Sequence, residues 1–211
     1  MSEDSEPYPP LEDVWLTPDG CLDAAWAMLN TLTCNPDTRL YFYVALECRL
    51  AIERLLRDIL IVISPRRLTR RQWGLYRAAD LYKEIRRLRP DFDKRWLFVK
   101  ELYRGRRPQL KLPEVELKAL TRVYGKLGGF LHSPSTPFSV IESQDWKDRI
   151  EAFIGDTYAY LEPIREAYRE GLMPAHPVFD ESLEWAFRQF CRGRMDAPAV
   201  RQLGRRLTSL A

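Results

Sequence analysis

Residues 36–63 read PDTRLYFYVALECRLAIERLLRDILIVI, a 28-residue stretch with two charges set into its apolar side. At about 100° per residue, Phe42, Ala45, Leu46, Ile52, Leu56, Ile59, Leu60 and Ile63 fall on one face of a helix. Arg49 and Glu53 fall near the middle of that face, whereas Glu47, Arg54 and Asp58 fall opposite, where charges usually meet water. A buried charge is costly unless it is paired and hydrogen-bonded. Arg49 and Glu53 stand four residues apart and can pair on their own helix. The expectation is that both are largely buried, paired, and met by a polar group from another helix.

Outward from this stretch the chain reads as further helices. Asn35-Pro36-Asp37 opens the long helix, and Ser64-Pro65 closes it because proline cannot continue the hydrogen-bond ladder. Upstream, 1–18 reads as an extended lead, and Asp19 as the cap of a helix to about Leu32. Downstream, Leu68 to Leu88 reads as a short helix and a longer one, and Asp91 to Tyr103 as the next. A basic loop follows from Gly105 to Pro113. Pro113 then stands in the first turn of a helix from Glu114 to about His132. After a turn at 133–137, Ser143 caps a helix from Gln144 to about Glu170, bent by Pro163 and ended by Gly171. A Pro-rich hinge at 173–177 leads to two last helices, Asp180 to Arg192 and Pro198 to Leu210. No segment sustains period-two alternation. The class is all-α, an antiparallel bundle of long helices at 19–172 with an additional C-terminal helical pair at 173–211 packed on it.

A second anomaly lies on the helix that ends at His132. Gly125, Gly128 and Gly129 share a side with His132 and Thr121. Helical glycines are destabilising by about 1 kcal/mol each relative to alanine, and a glycine face lets a backbone or ligand come close. The economical inference is that this smooth stripe faces the charged stripe of residues 36–63. The alternative is a tight helix crossing with His132 as a capping histidine. His176, the other histidine, sits between prolines and reads as ordinary surface.

Composition narrows the function classes. The chain has 211 residues, 45% apolar, enough for one good core. No apolar run reaches the ~18 residues that span a membrane, and the acidic, Pro-containing start is unlike a signal peptide. Cys21, Cys34, Cys48 and Cys191 are scattered and read as reduced thiols of a cytoplasmic protein. Neither a metal site nor a cofactor is expected from the spacing, and phosphate-binding, dinucleotide and nucleophile-elbow motifs are missing. The net charge is only +3, yet the basic residues are clustered. Arg66, Arg67, Arg70 and Arg71 form one group, Arg86, Arg87 and Arg89 a second, Arg104, Arg106 and Arg107 a third and Arg201 to Arg206 a fourth, with Trp73, Trp96 and Tyr103 close by. Arginine beside aromatics is what single-stranded nucleic acid binding needs; a solvated helix surface is the plainer alternative.

Two segments carry a family resemblance. Leu46-Glu47-Cys48-Arg49-Leu50-Ala51-Ile52-Glu53, on a long early helix, resembles the opening helix of HEPN domains. Tyr124-Gly125-Lys126-Leu127-Gly128-Gly129-Phe130-Leu131-His132 resembles the end of a later one. The resemblance covers roughly residues 36–170. It implies an all-helical RNA-binding protein, a homodimer, and a metal-independent endoribonuclease of a toxin–antitoxin or phage-defence system, with an antitoxin or defence component as partner protein. In that family an arginine precedes the histidine by four to six residues. Here the nearest upstream arginine, Arg122, is ten residues away, ~15 Å along a helix and rotated ~80°, so Arg49 is the cation placed beside His132. On this reading His132 is the general base or acid toward a ribose 2′-hydroxyl and Arg49 stabilises phosphorane charge. Glu53 holds Arg49, and Tyr124 is a candidate hydrogen-bond donor. The competing reading is a non-catalytic helical module that binds a partner protein.

Overall fold

A computed structural model describes residues 17–34, 37–64, 67–109, 112–132, 138–141, 143–173 and 179–208. Most of the N-terminal lead, the turn at 133–137, most of the hinge, Arg66 and His176 lie outside these residues. The described residues form ten α-helices and no strand: α1 (Pro18–Cys34), α2 (Thr38–Ile63), α3 (Arg70–Trp73), α4 (Ala78–Leu88), α5 (Phe92–Arg106), α6 (Leu117–Leu131), α7 (Phe138–Ile141), α8 (Gln144–Arg169), α9 (Glu181–Cys191) and α10 (Ala197–Thr208). The protein is all-α. No described helix is long and apolar enough to cross a membrane.

The charged-face helix is α2, and it is the central rod of the bundle, with α1, α4, α6 and α8 packed round it. Its burial is therefore wider than one apolar stripe. Tyr41, Val44, Cys48, Ala51 and Leu55 are buried as well as Ala45, Ile52, Leu56, Ile59, Leu60 and Ile63, while Leu46 is exposed. The expected solvent side of this helix is corrected accordingly. Asp58 is half-buried and accepts a 2.6 Å hydrogen bond from the Tyr168 hydroxyl. Burial pushes the Asp58 carboxyl above its usual range, and the Tyr168 bond opposes that shift. Glu47 is half-buried too, and burial raises its carboxyl.

Helix ends follow local chemistry. Asp37, Ser143 and Asp180 cap α2, α8 and α9 by accepting backbone N–H bonds from Arg39, Trp146 and Leu183. Helix α8 passes through Pro163 unbroken. At its end Gly171 takes a left-handed φ of 66°. Leu172 N–H then donates to the Ala167 carbonyl and Gly171 N–H to that of Tyr168, a Schellman closure.

Two boundaries differ from expectation. Helix α6 starts at Leu117 rather than Glu114, because 112–116 is held extended against α5. The Trp96 indole N–H donates to the Pro113 carbonyl at 3.0 Å, Lys100 pairs with Glu114, and Leu112 and Val115 are buried. Helix α5 runs on through Gly105, where the sequence suggests a loop. There α10 crosses it so closely that a Cβ at Gly105 would collide with the Arg201 backbone, and one at Gly204 with the Leu102 carbonyl. The α5, α9 and α10 helices share a small second core of Phe98, Ala186, Phe187 and Val200.

Four free cysteines are present among the described residues. Cys21 and Cys48 are buried, and burial pushes both thiols up to about 12.

Candidate functional site

The two unusual stripes of the sequence do meet, where α6 packs on α2. Arg49 Nε lies 3.6 Å from Glu53 Oε1, one helical turn on. From α6 the Tyr124 hydroxyl enters between them: it accepts 2.7 Å from Arg49 Nη2 and donates 2.7 Å to Glu53 Oε1. The guanidinium also stacks 4.4 Å from the Tyr124 ring centroid. Burial, and then the carboxylate of Glu53, push the Tyr124 phenol above its usual range, so it stays a neutral donor. Arg49 and Glu53 are not sealed: their side chains are 22% and 20% exposed.

The remaining edge of the guanidinium points to the end of α6. Arg49 Nη1 stands 3.5 Å from His132 Nε2, and His132 is exposed. His132 closes α6, its backbone N–H donating to the Gly128 carbonyl at 3.0 Å. Gly128 is the glycine that makes room here, since a Cβ there would come 3.3 Å from Arg49 Nη1. Among the described residues, a Cβ at Gly125 or Gly129 would meet nothing within 4 Å. Thr121 turns back to its own helix and donates to the Leu117 carbonyl. The site is thus a fixed cation beside an exposed imidazole on a smooth surface. Chemically it can hold an anion on Arg49 while His132 exchanges a proton with a group on that anion.

The arginine clusters fare differently from each other. Arg67, Arg70 and Arg71 are exposed around α3. At the end of α5, Arg104 donates 2.6 Å to the buried Glu101, which also takes Arg201 of α10; Arg106 and Arg107 are exposed. Between α3 and α4 lies an open groove of ≈ 520 Å³, lined by Thr69, Arg71, Gln72, Leu75, Asp80, Lys83, Glu84 and Arg87. Sequence reasoning placed Arg87 in a basic cluster but missed Lys83 of this groove and the adjacent, 60% exposed Tyr76. The signal that marks it is Thr69-Arg70-Arg71-Gln72, a capping box that fixes the loop into α3.

The most deeply buried charges were also missed. Arg95 on α5 is 5% exposed, bonds Asp91 at 2.8 Å, and meets both carboxylate oxygens of Glu184 on α9 at 2.8 Å. Its guanidinium lies over Phe187 at 4.4 Å.

No protein-family model matches the chain, and no curated protein or solved structure matches it.

Proposed function

We propose that the protein binds RNA and cleaves it without a metal, with a HEPN-like site made of Arg49, Glu53, Tyr124 and His132. The observation that carries this reading is the 3.5 Å approach of a braced arginine to an exposed histidine. His132 takes the proton of a ribose 2′-hydroxyl. The 2′-oxygen attacks the adjacent phosphorus, the bond to the 5′-oxygen breaks, and the leaving oxygen is protonated. The products are a 2′,3′-cyclic phosphate and a 5′-hydroxyl end. Arg49 neutralises charge gathering on the phosphoryl oxygens. Glu53 and Tyr124 hold Arg49 from two sides, so the cation is in place before the substrate arrives. A second copy of the chain supplies the histidine that protonates the leaving group, and a homodimer is the working unit. A role in toxin–antitoxin or phage defence, with an antitoxin as partner, accompanies this reading.

The test is cleavage of a labelled RNA by purified protein. His132→Ala abolishes cleavage and leaves the thermal midpoint within a few degrees, because its ring is exposed. Arg49→Ala has the next largest effect. Cleavage persists in EDTA. Should His132→Ala cut RNA like the parent, the site is not catalytic.

One observation favours a partner-binding module instead. Trp185 on α9 is 61% exposed and Leu97 on α5 is 47% exposed, while Trp96 is buried and Trp73 half-buried. Exposed tryptophan is a frequent anchor of protein interfaces. Wild-type protein that neither binds nor cuts RNA at low salt, with Trp185→Ala losing a partner, decides for this second reading.

A further inference from the structure

The charge of this chain is not spread evenly. The formal net charge is +3. Residues 67–87, which build the groove between α3 and α4, carry seven basic side chains (Arg67, Arg70, Arg71, Arg77, Lys83, Arg86, Arg87) and two acidic ones (Asp80, Glu84). The rest of the chain is therefore net −2. The groove lining sets Arg71, Lys83 and Arg87 against Asp80 and Glu84, an excess of positive charge that attracts a polyanion.

An exposed aromatic residue adjoins the groove in the chain. Tyr76 follows Leu75, a lining residue, and is 60% exposed, with the Arg77 guanidinium 5.6 Å from its ring centroid. An exposed ring flanked by arginine is a stacking platform for an unpaired base. The lining itself is ordered in advance. Gln72 donates 2.8 Å to Glu84 Oε1, and Arg87 donates 2.6 Å to the same oxygen. Lys83 and Arg71 are exposed on the groove.

A polar stripe connects this groove with the α2–α6 site. Arg49, Glu53 and Arg57 succeed one another at four-residue spacing along one side of α2. Arg57 donates 2.6 Å to the Leu75 carbonyl and lies 5.9 Å from the Trp73 ring centroid. Eight residues of helix separate Arg49 from Arg57, ~12 Å of rise, a span that a few nucleotides bridge.

We propose that the α3–α4 groove anchors a single-stranded RNA, Tyr76 stacking a base and Arg71, Lys83 and Arg87 meeting phosphates, and that the strand runs from there along α2 to Arg49 and His132. This rests on the RNA reading of the α2–α6 site and names where, away from that site, the substrate is held. A base-paired duplex is disfavoured as ligand, because its bases have no exposed faces for Tyr76 to stack on.

The experiment is fluorescence anisotropy with a 12-nucleotide single-stranded RNA, in the His132→Ala protein so that the probe stays intact. Adding Arg71→Glu and Lys83→Glu weakens binding at least tenfold and flattens the salt dependence, by about 0.7 in slope for each phosphate no longer neutralised. Tyr76→Ala weakens it about fivefold or more, as removal of one base–aromatic stack does. All three positions are exposed, and an unchanged thermal midpoint confirms that the fold is intact. Parent-like affinity in these variants overturns the assignment. So does an equal loss in an Arg104→Glu, Arg106→Glu, Arg107→Glu protein, which would move the binding surface to the end of α5. Wild-type cleavage with no contribution from the groove defeats the groove alone. Groove-dependent binding without cleavage by the wild type defeats the catalytic reading alone.

Discussion

The α2–α6 junction and the α5–α9–α10 junction use the same materials, an arginine among aromatics and glycines within helices, to opposite ends. At the second junction the buried arginine and the glycines are consumed by packing. Arg95 meets carboxylates on two helices and lies over Phe187 and Phe179, and Gly105 and Gly204 exist because two backbones touch there. At the first junction Arg49 is braced on one side by Glu53 and Tyr124, and among the described residues its other edge meets an exposed imidazole. At two of the three glycines beside it, an added Cβ would meet no atom of the described residues within 4 Å. A buried arginine surrounded by carboxylates has its valence filled and holds helices together. One with an edge left toward a titratable, solvent-facing group is available to a ligand.

The largest effect is expected at the α5–α10 crossing. Gly105→Ala or Gly204→Ala places a methyl group inside backbone that has no flexible side chain to yield. Overpacking of this kind costs about 1–3 kcal/mol, and more where backbone must move. Chemical denaturation of either variant shows a stability lower by at least ~3 kcal/mol, or an early transition as α10 detaches. Wild-type stability in both would mean that the helices do not cross in contact.

How much of this is readable in the residues differs between the junctions for a physical reason. Helix periods, the Asp37, Ser143 and Asp180 caps, the Gly171 stop and the charged stripe on α2 are local signals, set by chemistry within one turn. The pairing of that stripe with Tyr124 and His132 is inferable because both stripes are anomalous for their own helix. The burial of Arg95, Glu101 and Arg165 is not, since on one helix they look like ordinary surface charges, and only a distant helix makes them interior. The same holds for α5 running through Gly105: alone it reads as a helix breaker, and α10, about a hundred residues later, gives it a use. Pro113 reads as a helix start, but the Trp96 bond to its carbonyl, made across the fold, holds that segment extended.

The next effect separates the two arginines. Arg95→Ala costs on the order of 3 kcal/mol, the lower end for a broken buried pair, because Glu184 keeps some water contact. Arg49→Ala costs less, about 1–2 kcal/mol, since Arg49 and Glu53 are each about one-fifth exposed and Tyr124 still bonds Glu53. The pair at Arg95 also has a pH signature. Hydrogen bonding from Arg95 holds the Glu184 carboxyl below the usual carboxylate range. A depressed carboxylate contributes stability above its unfolded pKa and loses it as pH falls through its folded pKa. Thermal midpoints between pH 7 and pH 3 should therefore fall more steeply for the parent than for Arg95→Ala, converging in acid. Parallel curves would remove Glu184 from the account.

The smallest effect, and opposite in sign, is expected at the open glycines. Gly125→Ala and Gly129→Ala add a methyl group that meets no atom of the described residues within 4 Å. Each should stabilise α6 by about 0.5–1 kcal/mol, the ordinary advantage of alanine over glycine inside a helix. Gly128→Ala is the internal control, because its methyl group would press on Arg49 Nη1 at 3.3 Å and shift the guanidinium away from His132. If the glycine face admits RNA, Gly125→Ala and Gly129→Ala raise the thermal midpoint while weakening RNA binding or cleavage. If they raise the midpoint and leave both untouched, the glycines serve no ligand, and Arg49 and His132 alone mark the α2–α6 site.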